Sequence, residues 1–166
     1  MPCPPCPSTP WHARLAPGDV VSFRFPVADP GRGARVKKRP CLVLEVRVVE
    51  GRRHALLAYG TSVRSRANRG REIRVRRPEG LAQAGLHRPT RFVGARCVTV
   101  PLDDPRFVVS AQTGSPVLGR LDADLRARMA EVCAAPLPET GAPGSASCRH
   151  APPWGQYPPE IHATSS

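Results

Sequence analysis

The sequence predicts a mainly β protein with one or two helices, a small curved sheet or barrel of roughly 120 residues closed by a C-terminal helix. Three observations carry this. Short apolar runs rich in β-branched residues recur through the middle of the chain, Pro/Gly/Asp turn signals punctuate them, and a clear helical period occurs only near the end.

The first strand follows the turn Pro17-Gly18-Asp19. In VVSFRF, Val21, Phe23 and Phe25 share one face against Ser22 and Arg24. Residues 26–38, PVADPGRGARVKK, hold two prolines, two glycines and four basic residues, so a mobile loop is expected there. After Pro40, CLVLEVRVV is continuously apolar and then alternating, as expected of a central strand whose far end emerges into solvent. A hairpin turn at Gly51–Arg53 leads into a third strand, HALLAYGTS, where Gly60 permits close approach of another backbone or a ligand. Residues 64–77 carry seven arginines against Glu72 alone, and the alternation of Ile73 and Val75 with arginines predicts an edge strand. A short helical turn is expected in EGLAQAGL, before TRFV, and then two more strand-like stretches in CVTVPL and FVVSAQ. In LDADLRARMAEVC, Leu121, Leu125, Met129 and Val132 or Cys133 recur at helical spacing, with Asp122 and Asp124 in the first turn.

The 166 residues suit one domain, placed at 16–135. The Pro-rich ends, 1–15 and 136–166, read as disordered tails. Net charge is +12, and outside residues 16–135 the only basic residues are Arg14 and Arg149, so the positive charge belongs to the folded part. A basic domain meets a polyanion: nucleic acid most often, an anionic membrane surface or an acidic protein otherwise. No run reaches the length of a transmembrane helix and the N-terminus lacks the order of a secretory signal, which makes the cytoplasm the expected compartment.

Cys41 and Cys97 lie in apolar runs and are expected as reduced core residues. Cys3 and Cys6 have C-x-x-C spacing, but only His12, Cys148 and His150 could complete a zinc site, and two free thiols in a solvated tail is the plainer reading. No Walker loop, H-E-x-x-H, dinucleotide turn or serine elbow occurs, and the five histidines show no ligand-like pairing. No metal or cofactor is implied.

What remains is an arginine beside a proline at a strand entrance and a threonine at the exit of the next strand. Counting around the hairpin places Arg39 opposite a position near residue 64, so Arg39 and Thr61 fall at one rim of the sheet. An arginine can stabilise charge growing on phosphoryl oxygens, a hydroxyl can orient them, and the 2′-hydroxyl of RNA supplies an internal nucleophile. The same pair also reads as one basic residue among 25 and an ordinary strand-end hydroxyl.

Five segments in order, PGDVVSFRF, KKRPCLVL, ALLAYGTS, GLHRPTRFV and VLGRLDADLRARMAEV, resemble the PemK/MazF toxins of bacterial toxin-antitoxin modules over residues 16–135. The resemblance implies an SH3-like β-barrel with a helix, a homodimer, and metal-independent cleavage of single-stranded RNA that inhibits growth and is silenced by a cognate antitoxin with an acidic segment. It assigns the catalytic pair to Arg39 and Thr61. The basic loops would then grip RNA through Arg32, Arg35, Lys37, Lys38, Ser62, Arg64, Arg66, Arg69 and Arg71. The first loop, GRGARVKK, departs from the family in lacking its glutamate, which leaves the general acid and base unassigned and keeps open a non-catalytic module that binds nucleic acid or inhibits a host protein.

Overall fold

The computed structural model describes residues 10–29, 33–63 and 70–134, with residues 26–29 and 33–35 described by their backbone alone. The elements run α1 (Trp11–Arg14), β1 (Asp19–Asp29), β2 (Gly33–Val49), β3 (Arg52–Thr61), β4 (Glu72–Val75), α2 (Pro78–Gln83), β5 (Thr90–Pro101), β6 (Val117–Arg120) and α3 (Ala123–Ala134). Every strand pairing is antiparallel, and the six strands form one curled sheet in the order β4-β5-β3-β2-β1-β6. The mainly β class with a C-terminal helix is therefore as predicted.

The apolar run of β2 is continuous because this strand is covered on both faces. Cys41 and Val43 pack with Val21, Phe23, Leu57 and Phe107 on one side. Leu42 and Leu44 pack with Val20, Ala58, Phe92 and Met129 on the other. The second face is the one closed by α3. Asp122 stands just before this helix as its cap, accepting from the Leu125 N–H at 2.8 Å, while Leu125, Val132 and Cys133 lean on the buried cluster.

The ordering of the first turn also has a local cause. Asp19 accepts from the Ala16 N–H at 2.9 Å through one carboxylate oxygen and from Arg120 Nε at 2.7 Å through the other, tying the start of β1 to β6.

Four expectations are corrected. Residues 26–38 are mostly strand: β1 and β2 continue past the sheet as a two-stranded ribbon whose register runs from Phe23↔Arg39 to Asp29↔Gly33. Pro26 fits because β6 pairs with β1 only at Asp19–Val21, leaving that edge without a strand partner among the described residues. FVVSAQ contributes one isolated bridge, Phe107↔Phe23, and not a strand, while the unforeseen β6 takes the place beside β1. TRFV and CVTVP are one strand, β5, bent by a bulge opposite Ala58 and Tyr59. Residues 11–15, assigned to the N-terminal tail, are held against the domain: Trp11 meets Phe107 at a 52° tilt with ring centroids 5.1 Å apart, Leu15 is buried, and Arg53 donates to the carbonyls of His12 and Leu15. Residues 136–166, with Cys3 and Cys6, lie outside the described residues.

Neither Cys41 nor Cys97 forms a disulfide; Cys41 is buried, and Cys97 is half-buried with its Sγ donating to the Gly94 carbonyl. Burial pushes the Cys41 thiol from 9.0 up to about 12, against a weaker opposing hydrogen bond from the Gly60 backbone. A thiol that titrates higher in the fold than in the unfolded chain adds stability that is complete below pH 9 and lost as the pH climbs toward 12. Urea unfolding across that window should show a slope of up to about 1.4 kcal/mol per pH unit from this group, absent from Cys41→Ala. An identical slope in the variant would contradict the assignment.

Candidate functional site

The β2–β3 hairpin turns through Glu50-Gly51, one residue earlier than expected, and a bulge shifts its register between Val43 and Glu45. The ladder ends at Cys41↔Tyr59, one residue short of Pro40, which has no N–H to extend it. Continued past that pair, the register sets Arg39 opposite Thr61 rather than residue 64. The two strands meet tightly here: a Cβ on Gly60 would lie 2.1 Å from the Pro40 carbonyl oxygen. Gly60→Ala should therefore pry the strands apart and cost about 1–3 kcal/mol in a thermal or urea melt.

Arg39 and Thr61 line one open cleft of about 380 Å³ at this rim. Arg39 is half-buried, and its Nε lies out of contact with solvent without a hydrogen-bond acceptor among the described residues. A buried donor left unpaired costs roughly 1–3 kcal/mol, which an arriving phosphoryl oxygen would recover. Thr61 is buried, and its hydroxyl oxygen accepts from the Val63 N–H at 3.2 Å, leaving its own O–H free to donate outward. Lys38 and Arg88 add positive charge to the lining, and among the described residues no carboxylate lines it.

The exit of β3 is held from behind. Arg91, opposite Thr61 in the ladder, donates through Nε to the Val63 carbonyl at 2.8 Å and through its guanidinium to Glu72. Glu72 is also bound by Arg74 at 2.7 Å. The lone acidic residue of the arginine-rich segment is thus a buried anchor for the strand that carries Thr61.

Of the other expected contacts, Lys37 and Ser62 are exposed, and Lys38 and Ser62 line the cleft. Arg71 does not line it: its backbone carbonyl accepts from Gly94, beyond Tyr59↔Val93 and away from the Thr61 end. Arg32, Arg64, Arg66 and Arg69, and the side chain of Arg35, lie outside the described residues.

Sequence reasoning did not single out His87, Arg88 and Thr90, which reach the cleft from the segment after α2, nor Ser22 from β1. Thr90 is buried and its hydroxyl donates to the Arg88 carbonyl at 3.0 Å, fixing that segment at the cleft wall. Among the described residues no group of three or more metal-ligating side chains occurs, and no helix is long and apolar enough to cross a membrane. No protein-family model matches the chain, and no curated protein matches it.

Proposed function

We propose that this protein is an endoribonuclease that cuts single-stranded RNA, acting as the toxin of a toxin-antitoxin pair in the PemK/MazF manner. The observation that carries the reading is the shared cleft of Arg39 and Thr61, in which a buried guanidinium N–H has no acceptor among the described residues. Arg39 stabilises the charge that accumulates on the phosphoryl oxygens as the 2′-oxygen attacks phosphorus, and Thr61 donates to one of those oxygens and holds its place. Lys37, Lys38 and Arg88 take neighbouring phosphates, so binding falls steeply with salt. The same cationic cleft suits the acidic segment of a cognate antitoxin, which would silence the enzyme by occupying it. A cytoplasmic homodimer belongs to this reading as well.

A second reading keeps the cleft and drops the turnover: a module that binds nucleic acid or a host protein. It draws on a cleft lining that, among the described residues, holds no carboxylate. Incubating a mixed RNA pool with wild type, Arg39→Ala and Thr61→Val separates the two. The nuclease reading expects fragments from the wild type alone; tight binding without fragments, unaltered by either substitution, would establish the module instead.

A further inference from the structure

The cleft as described has a surplus of donors and a shortage of bases. Lys38, Arg39 and Arg88 are donor-only side chains, and the hydroxyls of Ser22, Thr61, Ser62 and Thr90 accept hydrogen bonds without taking up a proton near neutral pH. Among the described residues, His87 is the one lining side chain whose ring nitrogens can both take up and give back a proton. Its ring is exposed and makes no hydrogen bond within the described residues, so nothing there competes for its nitrogens.

The segment that carries it is fixed at both ends. Gly85 (φ 66) packs so closely on β6 that a Cβ would lie 2.1 Å from the Leu118 carbonyl oxygen. Leu86 is buried and its N–H donates to the Leu81 carbonyl at 2.8 Å, and Thr90 closes the far end on Arg88. An imidazole held on a pinned segment at the wall of a phosphate cleft is positioned for proton transfer to or from a bound substrate.

We infer that His87 is the general base of the reaction, an inference that rests on the ribonuclease reading. Neutral His87 takes the proton of the RNA 2′-hydroxyl as that oxygen bonds to the adjacent phosphorus. The bond from phosphorus to the 5′-oxygen breaks, its electron pair leaves on that oxygen, and water supplies the proton that makes the 5′-hydroxyl. The imidazolium then returns its proton to solvent, leaving a 2′,3′-cyclic phosphate. The charged groups around the ring among the described cleft residues are Lys38 and Arg39 from β2 and Arg88 from its own segment; β1, β3 and β6 contribute Ser22, Thr61 and Leu118, and Ser62 follows β3, none of them charged.

The test is the pH dependence of kcat/KM on an RNA that the wild type cuts, compared with His87→Ala and His87→Gln. The wild type should show a limb that rises with pH as the base loses its proton. Both variants should lose that limb and cut about 100-fold or more slowly. Added imidazole should restore part of the rate to His87→Ala, and binding of the 2′-deoxy analogue should stay within about threefold, neither of which a merely structural role predicts. If both variants cut at the wild-type rate with the limb intact, or if slow cutting by His87→Ala is not rescued by imidazole, the assignment of His87 is overturned while the nuclease reading stands. If the wild type cuts no RNA, both fall.

Discussion

Arg39→Ala should slow RNA cleavage by about 100- to 1,000-fold, the usual loss when one preorganised donor to a developing oxyanion is removed. The effect falls on turnover more than on binding. Lys37, Lys38 and Arg88 remain to hold phosphates, so affinity for an uncleavable 2′-deoxy strand should drop modestly and the salt slope should change by about one counterion. Arg39→Lys keeps the charge but loses the planar fork and the Nε donor, which has no acceptor among the described residues, and should recover only part of the rate. Single-turnover rates for the three proteins check this; cutting by Arg39→Ala within threefold of wild type would remove the residue from the chemistry.

Glu72→Ala should lower unfolding stability by about 3–5 kcal/mol, the range seen when one member of a buried ion pair is deleted and its partner is left uncompensated. The side chains of Glu72 and Arg91 are 2% and 14% exposed, so solvent cannot take over the lost contacts. Arg74, at 38% exposure, can turn outward and matters less. The damage should reach the cleft, because the arginine that loses Glu72 is the one holding the Val63 carbonyl beside Thr61. Removing both charges, as Glu72→Met with Arg91→Leu, should cost less than the two single changes added together. Urea melts of the four proteins measure this. A loss under about 0.5 kcal/mol for Glu72→Ala would show that the pair anchors nothing.

Where burial dictates the pattern, the sequence is readable. The run from Cys41 to Leu44 is unbroken because both faces of β2 are covered, and Ile73 and Val75 alternate because β4 is an edge. The ribbon beyond Phe23 and Arg39 was not legible: past Phe25, which is still buried against Tyr59, its sequence offers prolines, glycines and cations, and Val36, Lys37 and Lys38 are exposed, so the stretch resembles a loop. FVVSAQ misleads in the opposite direction. Val108 donates to the Ser22 carbonyl at 2.9 Å and Phe107 is buried, which explains the β-branched composition, but the chain then turns away and leaves Val109 51% exposed.

The site divides in the same way. Arg39 and Thr61 belong to one hairpin, so counting residues brings them to the same rim, with an error of a few residues set by the turn and the bulge. His87 reaches the cleft only through the packing of α2 and the following segment on β6, and no spacing in the sequence encodes that approach. Glu72 appeared as a single negative charge among arginines; its role as an anchor follows from burial and from the pairing of β4 with β5.

If the Arg39–Thr61 cleft promotes attack by the RNA's own 2′-hydroxyl, the ends of the cleavage products record it. RNA cut by the wild type in the presence of a chelator should carry 2′,3′-cyclic phosphate and 5′-hydroxyl ends, and a single 2′-deoxy nucleotide at the cut site should stop cleavage there. Fragments with 3′-hydroxyl and 5′-phosphate ends, or cutting that continues through the 2′-deoxy position, would contradict the account.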